Sequence, residues 1–224
     1  MTAPPPIEIG TETILNEMKT LSKNILEKHL MARKFNKDKV KKWGDLIIDE
    51  IHVTISKKYP QYGLCIFFYI SDKTSYVSDN RCIFYSKTDV KFVVEYHTDD
   101  FFSEIRILAT KKNTGSIKDF LSNMNNSELF LSINQKISDL LEDRTYNHEL
   151  FKKVIDNICF DINEILLEKK NNRPCSYHIG YINKLPLKGI YSYYKIFDLE
   201  FSPIFFTYKN DSFTCRIDLF LINN

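Results

Sequence analysis

The 224 residues carry 31 Lys and Arg against 29 Asp and Glu, and a net charge of +2 leaves no general electrostatic footprint for nucleic acid or an anionic membrane. Hydrophobic residues make up 43% and aromatics 14%, which excludes a disordered chain and is enough for one large core or two small ones. The cysteines at 65, 82, 159, 175 and 215 have neither CxxC spacing nor clustered histidines, so they read as reduced thiols rather than a zinc site or a disulfide frame.

Residues 1–10, opening Met1-Thr2-Ala3-Pro4-Pro5-Pro6, read as a flexible tail without the basic and apolar regions of a secretory signal. From Glu12 the apolar residues Ile14, Leu15, Met18, Leu21, Ile25, Leu26 and Leu30 recur at three and four, the stripe of an amphipathic helix. A polar break at Arg33 to Asp38 precedes a second stripe, Val40, Trp43, Ile47, Ile51 and Ile55, which ends near Tyr59-Pro60 because proline disfavours helix at the residue before it. The lysine runs at Lys37 to Lys42 and Lys111-Lys112 read as a solvated helix face and a linker rather than a phosphate site.

The period then becomes that of strands, expected over Tyr62–Ser71, Ser75–Ser86, Val90–His97 and Phe101–Thr110, between polar turns such as Asp72-Lys73-Thr74 and Thr98-Asp99-Asp100. The apolar run Leu64 to Ile70 is far too short to span a bilayer, and a soluble cytoplasmic protein is expected. Lys111 to Ser116, polar with a glycine, begins a linker over 111–126.

The same order then begins again. Leu129, Phe130, Ile133, Ile137, Leu140 and Leu141 make one helix face, and Phe151, Val154, Ile155, Ile158, Ile162 and Ile165 another. Strands are expected over Cys175–Asn183, Gly189–Asp198, Ser202–Lys209 and Phe213–Ile222. Residues correspond at near-constant spacing: Phe35-Asn36 with Tyr146-Asn147, Tyr96 with Tyr208, Asp99 with Asp211, Phe101 with Phe213 and Ile105 with Ile217. Six elements recurring in order imply a duplication, with units at 11–110 and 127–224.

Each unit resembles the Tctex-type dynein light chains. The resemblance is carried by Phe35, Val40 and Trp43 in the second helix region, by Lys58-Tyr59 before the first strand and, in part, by Cys82-Ile83-Phe84-Tyr85. The second half contributes Phe197-Asp198, with Asn210 and Cys215. It departs in having Val154 where the helix tryptophan belongs, and the first half has Ser103 where the last-strand cysteine belongs. The resemblance implies an α+β fold: two tandem units, each a helix pair on a four-stranded antiparallel sheet, exchanging second strands within one chain as an intramolecular pseudo-dimer. A covalent linker favours such internal exchange by raising the effective concentration of one half for the other.

The function so implied is that of a non-catalytic adaptor, cytoplasmic and cytoskeletal or ciliary. It would bind an extended peptide of a dynein intermediate chain or a cargo by strand addition, as a monomer without cofactor, metal, nucleic acid or membrane. Carried onto this chain, Tyr76, Ser78, Asn80 and Cys82 flank one edge, and Tyr191, Tyr193 and Lys195 the other. A Tctex-like scaffold of a ciliary or cytoskeletal complex that does not bind dynein is the second reading. A small-ligand protein or enzyme on an α+β fold is the third.

The sequence has no glycine loop for phosphate, no HExxH and no GxSxG. Asp99-Asp100 reads as a solvated turn rather than an acid/base pair, His178 as a packed or edge histidine, and Cys159 as a small buried side chain. Phe67, Phe68, Tyr69, Phe205 and Phe206 read as sheet packing, because few basic residues interleave with them as base stacking would need.

Overall fold

The computed structural model describes residues 11–71, 76–83, 89–112, 126–168, 175–184, 191–197 and 199–223. The tail, most of the expected linker and the outer ends of the strands expected at Ser75–Ser86 and Gly189–Asp198 lie outside them. In chain order come α1 (Thr11–Leu30), α2 (Lys37–Lys58), β1 (Tyr62–Ser71), β2 (Tyr76–Ile83), β3 (Val90–His97) and β4 (Phe102–Lys111). After them come α3 (Asn126–Leu141), α4 (His148–Glu168), β5 (Cys175–Lys184), β6 (Tyr191–Phe197), β7 (Glu200–Lys209) and β8 (Phe213–Asn223). The fold is α+β.

The local devices that join elements occur twice. After α1 the chain turns through Ala32 at φ 57°, and after α3 through Asp143 at φ 58°. Each left-handed residue ends a helix, and its successor donates back to the last turn, Arg33 N–H to the Leu30 carbonyl and Arg144 N–H to that of Leu141. The following helices start alike: the Asn36 side chain accepts from Asp38 N–H, and that of Asn147 from Leu150 N–H, each at 3.0 Å. At the last hairpin of each half, Thr98 Oγ1 accepts from the N–H groups of Asp100 and Phe101, as Asn210 Oδ1 does from those of Ser212 and Phe213.

The strands form two antiparallel four-stranded sheets, ordered β3-β4-β1-β6 and β2-β5-β8-β7. The first thus takes one strand from the C-terminal half, β6 lying on β1 from Leu64↔Phe197 to Ile70↔Tyr191. The second takes β2 from the N-terminal half, on β5 from Tyr76↔Asn183 to Ile83↔Ser176. Two strand starts differ from the sequence reading. Phe101 is not the first residue of β4; its carbonyl accepts from Thr98 N–H and closes the turn, with its ring buried against Phe35 and Tyr96. β7 starts at Glu200 and runs through Pro203, which is tolerated because β7 ends its sheet.

Each helix pair covers the outer face of a sheet. The first core joins Ile14, Met18, Leu26, Trp43, Ile47 and Ile51 to the alternate residues Leu64, Ile66, Phe68 and Ile70 of β1, and also takes in Tyr193 and Phe197 of β6. The second joins Ile133, Ile137, Phe151, Ile155, Ile158 and Ile162 to Ile182, Phe206, Cys215, Ile217 and Leu219. Phe130 lies at the margin of the expected helix face: its ring stacks on buried Phe206 at 4.9 Å, while the residue stays 41% exposed. At the outer end of the first helix pair, Glu17 accepts from Lys58 Nζ at 2.5 Å and from the Tyr59 hydroxyl. The hydrogen bond from Lys58, with that from Tyr59, holds the Glu17 carboxyl below its ordinary value.

The inner faces of the sheets meet in a third cluster, Cys65, Phe67, Tyr69, Leu108 and Phe220, with the Phe67 and Phe220 rings 5.0 Å apart. Charged residues are buried on these faces. Arg106 Nε bonds Glu104, the two being 2% and 5% exposed, and Arg106 lies over the Tyr69 ring. The corresponding residues of β8 carry the opposite charges: Arg216 Nε bonds Asp218 at 2.6 Å.

A second inversion concerns volume. At one helix–strand contact α2 offers Gly44 to Phe68; at the matching contact α4 offers Ile155 to Gly180. A Cβ on Gly44 would stand 3.0 Å from the Phe68 and Tyr193 rings, and one on Gly180 2.7 Å from the Ile155 and Ile217 methyls. The space at Gly44 is what admits Tyr193 of β6 beneath α2. Gly44→Leu is therefore expected to cost about 1–3 kcal/mol by overpacking. Tyr193→Ala in the same chain should return part of that loss, since neighbouring substitutions couple. Urea unfolding of both single variants and the double measures the coupling; strictly additive losses would place the two residues apart.

Candidate functional site

The two second strands, β2 and β6, each lie at the end of a sheet, so one row of backbone N–H and C=O groups on each faces away from the ladder. β6 is held from both sides. Toward α2, Tyr193 fills the space over Gly44, Phe197 stacks on His52 with ring centroids 3.7 Å apart, and Lys195 Nζ donates to Asp49 at 2.8 Å. Lys195 also pairs with Asp45 at 3.5 Å. Burial pulls the Lys195 ammonium toward a lower pKa, but these two carboxylates outweigh it and leave the group raised. Toward the second sheet, Tyr194 meets Phe220 edge-on at 5.2 Å and Phe67 at 5.9 Å.

Tyr193 and Lys195, expected to flank a groove, thus face α2, where they anchor the strand in its sheet. Tyr191 lies opposite Ile70, and its side chain is outside the described residues. Tyr76, Ser78, Asn80 and Cys82 lie on β2 opposite Asn183, Tyr181, Ile179 and Tyr177, with side chains likewise outside the described residues. So does the side chain of His178. The two expected sets therefore occupy the ends of different sheets.

The sequence reading assigned Phe205 to sheet packing and left Tyr194 out of the edge set, yet both residues are partly exposed. Tyr194 is 38% exposed, and across from it on β7, the end strand of the other sheet, Phe205 is 41% exposed. Phe220 lies between them, 6.4 Å from Phe205, and the Arg216 guanidinium sits 4.9 Å over the Phe205 ring. Burial raises the Asp218 carboxyl, and the neighbouring Arg216 opposes that shift. At the matching positions of the first half stand half-buried Val93 and the buried pair Glu104–Arg106. The two strand ends therefore differ in shape and exposed charge. The signal was available: with period two along β6, Tyr194 must face opposite to Tyr193 and Lys195.

The remaining candidates take structural places. Asp99 and Asp100 are exposed in the β3–β4 turn. Cys65, Cys159 and Cys215 are buried, and burial pushes the Cys215 thiol far above its ordinary value, which suppresses thiolate chemistry there. Among the described residues no group of three His, Cys, Asp or Glu could hold a metal ion, and no helix is long and apolar enough to cross a membrane.

The chain matches the Tctex-1 family over residues 13–110, from α1 to the end of β4. No curated protein matches it. Residues 13–110 are thus similar to the Tctex-1 family.

Proposed function

We propose that residues 127–224 form a second Tctex-like unit, diverged from the first at 11–110. The whole chain is then a pseudo-dimer that acts as a peptide-binding adaptor of dynein, in the cytoplasm or the cilium. The reading is supported by the order of the sheets, in which each half supplies its second strand to the other. The paired devices at Ala32 and Asp143, Asn36 and Asn147, and Thr98 and Asn210 support the duplication. An extended segment of a dynein intermediate chain or of a cargo adds to the free edge of β6 or β2. Backbone pairing supplies affinity, and alternate side chains read the sequence.

One observation carries the reading: β6 is fastened through both faces while its outer edge ends the sheet. A strand held in that way pays little ordering cost when a partner strand joins it. Because Tyr194, Phe205 and Arg216 on one side have no like-for-like counterpart among the matching residues described on the other, the two edges select different sequences. Calorimetry with a dynein intermediate-chain peptide is expected to find one strong site per chain. Two sites of equal affinity would remove the inequality of the edges. An absence of binding would favour the scaffold reading, in which the same edges serve a complex without dynein.

A further inference from the structure

We propose that the corner between α1 and α2 is a second docking surface, for an acidic extended segment of a partner protein. Between residues 33 and 43 stand Arg33, Lys34, Lys37, Lys39, Lys41 and Lys42 against a single acid, Asp38. All six cations are exposed, and among the described residues none makes an ion pair. Three of them, Arg33, Lys34 and Lys39, line a shallow hollow of about 320 Å³ together with Phe35, Asn36 and Trp43. Its floor is rigid: Trp43 is buried with Arg33 held 5.2 Å over its ring, and Phe35 packs on Phe101.

The fold does not require this charge. The matching corner of the second half has the same left-handed turn and the same asparagine cap. Its cations are fewer and two are engaged: Arg144 Nε donates to the Leu140 carbonyl at 2.6 Å, and Lys152 Nζ to Glu149 at 3.0 Å. Six like charges repel one another, and an anionic partner turns that repulsion into binding energy.

The geometry favours a run of carboxylates over other anions. Lys37 and Lys41 lie one turn apart on one flank of α2, while Arg33 and Lys39 lie beside the hollow, so a single phosphate reaches only part of the cluster. An extended chain advances about 3.3 Å per residue and meets the cations in succession. Trp43 is buried beneath Arg33 and Phe35 is half-buried against Phe101, so the rings that line the hollow offer a base little to stack on. The helix end itself is served by Asn36, so side-chain cations carry the surface.

The test uses the full chain and a fluorescein-labelled poly-glutamate segment, read by anisotropy at low and moderate salt. Binding that weakens steeply as salt rises is expected. The triple variant Lys37→Glu, Lys39→Glu, Lys41→Glu should lose affinity by about tenfold or more, and the Gln triple by less. The control Lys152→Glu, Lys153→Glu in the second half should stay within about twofold. Equal thermal melting of all variants excludes misfolding, as these lysines are exposed. No binding of poly-glutamate at low salt would overturn the proposal. So would equal losses in triple and control, or binding confined to phosphatidylserine vesicles or a DNA oligonucleotide.

Discussion

Trp43→Ala is expected to destabilise the chain by about 3–5 kcal/mol, the range for emptying a large buried aromatic site. Trp43 is 4% exposed and stands in the first core with Val40, Ile47 and Ile51 of the same helix stripe. The site cannot collapse easily, since α2 is fastened to β6 through Lys195 with Asp45 and Asp49, and through the His52–Phe197 stack. Because Trp43 is the sole tryptophan, it also reports on its own burial. Its emission should be blue-shifted in the folded chain and move red across the urea transition that measures the loss. Red emission and ready iodide quenching before unfolding would place the ring outside the core.

Arg106→Met should cost a similar amount, about 3–5 kcal/mol, because it strands the Glu104 carboxylate between the sheets. Both residues are almost wholly buried, and water cannot replace the lost partner at no cost. The double variant Glu104→Leu, Arg106→Met removes the charge along with its partner and should regain most of the stability. Denaturant unfolding of the three chains decides it; a double variant no better than the single would mean that the pair contributes packing rather than mutual charge satisfaction.

Burial of this kind was not legible in the sequence, because period two does not tell which face of a strand a second sheet covers. The helix stripes were legible, because Ile14, Met18, Ile25 and Leu30, and then Val40, Trp43, Ile47 and Ile51, fall at helical spacing and all face the core. The strands were legible to within a residue or two, as at Phe101 and Glu200, where turn closure and an end strand shift the boundary. For Phe130 the spacing gave the face but not the depth: it stacks on core Phe206 and is still 41% exposed.

The pairing of β6 with β1 and of β2 with β5 lies beyond periodicity, because period two fixes faces and not neighbours. It entered the sequence reading only through the family resemblance. The volume exchange of Gly44 and Phe68 for Ile155 and Gly180 was hidden for a related reason. Aligned one residue at a time, Gly44 against Ile155 and Phe68 against Gly180 look like mismatches, and only the contact between the two positions shows them to be compensating. At the candidate site the strands were found, but the facing of Tyr193 and Lys195 required knowing that α2 lies over β6.

The central claim is that one chain contains both halves of the strand exchange. Multi-angle light scattering of the intact protein at micromolar concentration tests it most directly. The account predicts a single species at the chain mass of 26.5 kDa, unchanged on dilution. A stable species of about twice that mass, with no monomer on dilution, would place the exchange between chains and contradict it.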